Sequence, residues 1–254
     1  LISIPSLAPV YRLGRNQDRH SCVASRYYLG IVWTLACLPM ISGPIIVFDS
    51  GIGGLSIFRP LKLALPHENI IYMMDSNHFP YGNKSSDWLA NRFKELSIDF
   101  KKLNPKLLVL ACNSATTNVI KDLRALLDCP VVGVEPVIKP LSLFTHSIAI
   151  MTEASASSDS TKNLLKTYGQ HVVIYTPHGL ASAIEYNDID QVQKSIHEIK
   201  DVVQKAQIEA VGLSCTHYPL IIKELKSAMP DVTFIDPSDA VVKEVVRVLE
   251  SSQS

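Results

Sequence analysis

Neither sign of charge is in excess: 24 lysines and arginines face 24 aspartates and glutamates. No global field therefore draws the chain to nucleic acid, to a membrane surface or to a polyanion, and the partner left standing is a small molecule. Cysteine is sparse, at Cys22, Cys37, Cys112, Cys129 and Cys215, with no CxxC pair and no short ligand spacing. That pattern argues against a disulfide framework and against a metal site. Free thiols persist in reducing compartments, so the expected location is the cytoplasm. The apolar run Leu29 to Met40, broken by Pro39, is too short for a membrane-spanning helix. The dinucleotide spacing GxGxxG is missing, and no Walker lysine follows the turn Gly51-Ile52-Gly53-Gly54, which weakens a phosphate-cradling reading. What the chain does have is apolar mass, 47% of its 254 residues, enough for a sizeable core.

Residues 1–43 read as an N-terminal extension, arginine-bearing and unlike the start of a domain. Three explanations stand in order: a natural start at Met40, which makes the extension non-native; a real N-terminal arm; and a secretory signal, which conflicts with reactive thiols. From Ile45 onward short β-branched runs alternate with longer amphipathic stretches, the pattern of parallel βαβ units and an α/β fold. The expected strands are Ile45–Phe48, Ile70–Met74, Leu107–Leu110, Val131–Val134, Ser147–Met151, Val172–Tyr175, Ala210–Leu213 and Thr233–Ile235. The expected helices are Leu89–Leu103, Val119–Leu127, Ser160–Tyr168, Ile189–Ala206, Leu220–Ala228 and Ala240–Glu250, where apolar residues return near the 3.6 period.

Two segments echo each other: Leu107-Leu-Val-Leu-Ala-Cys112-Asn113-Ser114 and Ala210-Val-Gly-Leu-Ser-Cys215-Thr216-His217. Each is a buried strand that ends in cysteine and runs on into small or hydroxylic residues. Ligands of open α/β sheets bind at such carboxyl ends. Two of these units facing across a cleft would offer two thiols to one small substrate from opposite sides. Removing a proton from one face of a carbon and returning one to the other needs that arrangement, and thiols at strand-to-helix turns are placed to ionise. Buried cysteine is commonly only a small hydrophobe, but the pairing tells against that for Cys112 and Cys215. His217 lies within reach of Cys215 and can activate it. Asp49, at the end of the first strand, can orient or deprotonate a thiol, and the N–H groups of the turn after it can hold a carboxylate.

On these residues the chain resembles glutamate racemase, of the aspartate/glutamate racemase superfamily. The likeness runs in order through Phe48-Asp49-Ser50-Gly51-Ile52-Gly53-Gly54, Phe79-Pro80-Tyr81-Gly82, Ala111-Cys112-Asn113-Ser114-Ala115, Val134-Glu135-Pro136 and Cys215-Thr216-His217-Tyr218-Pro219. It implies two pseudo-symmetric parallel-sheet αβα domains, 44–133 plus 231–254 and 134–230, with the active site in the cleft between them. It implies that Cys112 and Cys215 are the catalytic thiols, supported by Asp49 and His217, with no cofactor and no metal. Asp49, Ser50, Pro80, Tyr81, Gly82, Cys112, Asn113, Ser114, Thr152, Ser155, Glu185, Cys215, Thr216 and His217 would contact glutamate, and Asp75 would be an ancillary acid. Supply of D-glutamate for peptidoglycan, homodimerisation and regulation by a cell-wall precursor belong to the same implication.

A loop and the residue before the second cysteine depart from that pattern, and the N-terminal arm has no counterpart in it. Thr152-Glu153-Ala154-Ser155 stands where relatives usually carry threonine, a basic residue, glycine and threonine. Glu153 pointing inward would repel an anion, and Ala154 would pay for a positive φ. Ser214 replaces the glycine before the second cysteine. A sister racemase or isomerase acting on aspartate, hydantoin or maleate, and a binding protein that keeps the fold without turnover, are the competing expectations.

Overall fold

The computed structural model describes residues 43–169 and 171–252; the expectations for the N-terminal extension lie outside these residues. Two four-stranded parallel sheets carry the structure. The first is ordered β2-β1-β3-β4, from β1 (Ile45–Asp49), β2 (Ile70–Met74), β3 (Leu107–Leu110) and β4 (Val131–Gly133). The second repeats the order as β6-β5-β7-β8, from β5 (Ser147–Met151), β6 (Val173–Tyr175), β7 (Ala210–Ser214) and β8 (Thr233–Ile235). Each sheet has helices on both faces, so its central strands are buried throughout and read as unbroken apolar runs rather than alternating ones.

In β1 the pleat sends Ile45 and Val47 to one face and Ile46 and Phe48 to the other. The first pair packs with α1 (Leu55–Ala64) and α10 (Ser238–Ser251) through Ile57, Leu61, Val241 and Val245. The second packs with α2 (Ser86–Lys102) and α3 (Asn113–Leu126), where Phe48 meets Phe93 and Phe100 edge to face at 5.4 and 5.2 Å. The second sheet is covered in the same way. α7 (Leu180–Glu185), α8 (Ile189–Lys205) and α9 (Ile222–Ala228) lie on one side, and α4 (Ile138–Leu141) and α6 (Asp159–Tyr168) on the other. α5 (Glu153–Ser157) is a short helix directly after β5. Side chains start several of these helices: Ser85 accepts from Trp88 N–H, Ser158 from Thr161 N–H and Asp188 from Gln191 N–H, each satisfying one orphan donor of the first turn.

The strands fall within a residue of the sequence reading, whereas the helices differ more. α1 was not expected, and α3 begins six residues before Val119, directly after Cys112. Residues 231–254, read together as part of the first domain, divide: β8 pairs with β7 in the second sheet, while α10 packs against α1 and the first. The cause is local. Phe234 and Ile235 pair with Val211 and Gly212 before the chain crosses back. Both sheets belong to one compact unit. Among the described residues no helix is long and apolar enough to cross a membrane.

Candidate active site

Each sheet has its switch point between the first strand of its half and the third, where chain order reverses and a crevice opens beyond the carboxyl ends. In the first half this places Asp49, at the end of β1, beside Cys112, one residue past Ala111. In the second it places Thr152, after β5, beside Cys215, after β7. Twelve of the expected site residues line one cavity of about 20 Å³: Asp49, Ser50, Pro80, Tyr81, Gly82, Cys112, Asn113, Ser114, Thr152, Cys215, Thr216 and His217. The two thiols are 5% and 6% exposed. A volume of this size holds about one water.

The other two expected residues stand behind this wall. Ser155 is fully buried, its hydroxyl 3.4 Å from that of Ser114, which is in turn 2.9 Å from Thr152 Oγ1. Glu185, on α7, accepts from His217 Nε2 at 2.7 Å and from Ile52 N–H at 2.8 Å. The second of these bonds spends the Ile52 N–H of the glycine-rich turn on a carboxylate of the protein. The space a Cβ would need at Gly51 and Gly53 is likewise filled, by the Glu185 carboxylate and by His217 with Thr216. The glycines are there because the opposite half closes onto the turn.

Each thiol has its own polar support. Asp49 is fully buried, accepts from Ser50 N–H at 2.7 Å and from the Thr216 hydroxyl at 2.8 Å, and hydrogen-bonds the Cys112 thiol. Burial raises the carboxyl of Asp49 against the opposing pull of His217 and of these donors. Burial, and next the charge of Asp49, push Cys112 well up. The expectation of a thiol readily ionised by its helix N-terminus therefore fails for Cys112: desolvation in a low-dielectric pocket outweighs the Ala115 N–H that favours the thiolate.

Cys215 Sγ lies 3.9 Å from His217 Nδ1. Burial by itself would depress the imidazole, but its hydrogen bonds to Cys215 and Glu185, with the charges of Cys215 and Asp49, push it up to about 10. His217 is thus a cation at neutral pH, held between the Cys215 sulfur and a carboxylate. Glu185 is lowered: burial opposes ionisation, and the His217 and Ile52 bonds overcome it.

A second network fixes the loop that bears Tyr81 and Gly82. Asp75 is 8% exposed and accepts from Arg92 Nε at 2.8 Å, from Arg92 Nη2 at 3.0 Å and from the Tyr81 hydroxyl at 2.6 Å, with His78 Nδ1 at 2.9 Å. Burial would raise its carboxyl, yet these bonds hold it at about 2. A folded value below the unfolded 3.8 means stability that is present above pH ~4 and lost as pH falls through ~2. Asp75→Asn is expected to cost about 2 kcal/mol at neutral pH and to flatten the acid limb between pH ~4 and ~2, measured as urea midpoints against pH.

The departures at 152–155 have an outcome too. Ala154 sits inside α5 and needs no positive φ. Thr152 caps that helix by accepting from Ser155 N–H, and Glu153 is exposed, off the catalytic cavity. The Ser214 hydroxyl accepts from Val137 N–H at 3.1 Å, tying the crossover between the halves to the strand that delivers Cys215. Sequence reasoning missed three neighbours of the site. Tyr72 donates to the Gly51 carbonyl at 2.5 Å and packs on Gly54. Phe79 leans on His217 at 5.2 Å, and Arg92 anchors Asp75. Tyr72 and Arg92 read as ordinary strand and helix residues, and no sequence signal set them apart. Among the described residues no group of three histidine, cysteine or acidic side chains is arranged to hold a metal.

Comparison with known proteins supplies the chain's relatives. The glutamate racemase of Pseudomonas entomophila (strain L48) is 35% identical over 217 residues, 82% of this chain and 82% of the relative. Escherichia coli glutamate racemase, solved in complex with L-glutamate and the activator UDP-MurNAc-ala, superposes with a TM-score of 0.72 at 27% identity, over 82% of this chain and 83% of that one. The glutamate racemase of Francisella tularensis subsp. tularensis SCHU S4, in complex with D-glutamate, gives 0.73 at 28% identity, over 84% and 83%. With the family model for Asp/Glu/Hydantoin racemase matching residues 58–245, this chain belongs to that family.

Proposed function

We propose that the protein is a glutamate racemase that interconverts L- and D-glutamate by two-base proton transfer between Cys112 and Cys215, without a cofactor. One observation carries this reading: two buried thiols line a single cavity from equivalent strand ends, each backed by a separate polar partner, Asp49 or His217 with Glu185. One sulfur, as thiolate, takes the α-proton. The other, as thiol, delivers its proton to the opposite face of the same carbon, and the roles reverse for the other enantiomer. His217, cationic beside Cys215, stabilises negative charge on that sulfur, and Asp49 holds the Cys112 proton ready for delivery.

The substrate's polar groups find complements in the wall. Asn113 Nδ2 donates to the Val134 carbonyl while its Oδ1 is buried without a partner, an acceptor suited to the substrate ammonium. The hydroxyls of Ser50 and Ser114 suit its carboxylates, while those of Thr216 and Thr152 donate to Asp49 and Ser155. The same reading places the reaction in the cytoplasm, with D-glutamate supplied to peptidoglycan. It includes homodimerisation and control by a cell-wall precursor of the kind bound to the E. coli relative.

The test is circular dichroism of L-glutamate, D-glutamate and L-aspartate incubated with the purified full chain and no added cofactor. Decay from both glutamate enantiomers to zero signal is the expected result. Decay with aspartate alone would transfer the reading to a sister substrate, and no decay in a folded sample would overturn it.

A further inference from the structure

A second chamber, of about 270 Å³, adjoins the catalytic cavity and shares Pro80, Gly82, Thr152 and Ala181 with it. A substrate passing between solvent and the thiols along this side meets that chamber first. Besides the phenols of Tyr218 and Tyr81, its charged and titratable lining consists of Glu153 and His178, and that of the inner cavity of Asp49, His217 and the two thiols. Neither wall carries a lysine or arginine. The nearest base in sequence, Lys84, follows Asn83 of the wall but lies over the Trp88 ring at 5.2 Å. Glu153 is exposed, and among the described residues it enters no ion pair: His78, His197 and His217 pair with Asp75, Asp201 and Glu185, and His178 shares the wall with Glu153 without a salt bridge to it. Across the whole chain 24 acids balance 24 bases, so no wider field offsets it.

We propose that Glu153 is a charge-selecting residue on the approach to the active site, opposing the admission of amino acids that carry net negative charge. The inference rests on the racemase reading above and deepens it, because glutamate at neutral pH carries one net negative charge. Glu153 stands outside the catalytic cavity, so its repulsion acts on substrate capture and raises KM, while kcat is set by the thiols. Repulsion between like charges about 10 Å apart in a water-rich mouth is worth a factor of about two to ten at low salt. It is screened as the Debye length shrinks from ~30 Å at 0.01 M to ~8 Å at 0.15 M.

The experiment follows KM and kcat for glutamate from ~10 to ~150 mM potassium chloride in the wild-type chain, Glu153→Gln and Glu153→Lys. In the wild type, KM is expected to fall about 1.5- to fourfold over that range with kcat constant, because a Debye length of ~8 Å leaves part of the repulsion in place. Glu153→Gln should show the low KM at every salt, and Glu153→Lys an inverted slope. A merely structural role, acting through α5 on Thr152 and Ser155, would change kcat and leave the salt slope in place. Wild-type and Glu153→Gln slopes that coincide would overturn the proposal. Calorimetric binding of D-glutamate over the same salts reads the slope without turnover. A folded protein that binds with this slope but does not racemise would defeat the racemase reading alone.

Discussion

Alanine in place of either Cys112 or Cys215 is expected to reduce racemisation by about 10³-fold or more, near the upper range for loss of a positioned acid or base, with the fold intact. The fold should survive because each sulfur is a small side chain at the edge of a core cluster: Cys112 closes the one around Phe48 and Phe93, Cys215 the one around Ile150 and Leu213. Truncation leaves a cavity next to a space already large enough for water. The chemistry does not survive, because neither Asp49 nor His217 can replace a sulfur on its face of the substrate: both are tied up by Ser50, Thr216, Glu185 and the thiols themselves. The two variants are distinguishable. The remaining thiol can still take an α-proton from the enantiomer that presents it and return a deuteron to the same face in D₂O. Proton NMR should therefore show residual α-exchange confined to one enantiomer in Cys112→Ala and to the other in Cys215→Ala. Near-normal racemisation in either variant would refute the two-base mechanism.

The strands were legible because β1, β3, β5 and β7 are buried on both faces, and such strands consist almost wholly of Ile, Val, Leu and their like. The first helix was not legible because Pro60 lies inside it, and proline ordinarily argues against a helix interior. The start of α3 was missed for a related reason. Asn113, Ser114, Thr116, Thr117 and Asn118 are weak helix formers whose side chains compete for backbone groups; Thr117 indeed bonds the Asn113 carbonyl and Asn118 the Ser114 carbonyl. That miss bears on function, since it is this early start that puts Cys112 at a helix N-terminus. In the site, residues adjacent in sequence to a cysteine were readable, but contacts made across the halves were not. Glu185 meets Ile52 over 133 positions across the halves and His217 over 32 within the second half, relations set by tertiary packing rather than by any local pattern. The electrostatics of Cys112 were hidden for the same reason, because burial is a property of the assembled cleft.

Gly53 converts that closure into a second prediction. A Cβ built there would meet His217 Nδ1 at 2.4 Å, His217 Cε1 at 2.6 Å and Thr216 Oγ1 at 2.7 Å. These are not free ends of flexible chains: His217 is held by Glu185, Thr216 by Asp49, and both are 2% exposed. Gly53→Ala must therefore push the imidazole away from Cys215 or reopen the halves. Overpacking of this kind costs about 1–3 kcal/mol, and a displacement near 1 Å at a catalytic group costs about 10²-fold in turnover. The pH dependence shows whether the imidazole has moved. In the wild type the folded His217 value lies near 10 against 6.5 for the unfolded chain, so its contribution to stability is fully present below pH ~6.5 and drains away as pH rises through ~10. If alanine at position 53 parts His217 from Cys215 and Glu185, its titration, followed by NMR of the ring protons, drops toward the ordinary histidine range and the alkaline loss of stability shrinks with it. A variant that loses activity yet keeps His217 titrating near 10 would show that the imidazole had stayed in place, and that Thr216 and Asp49 had taken the displacement instead.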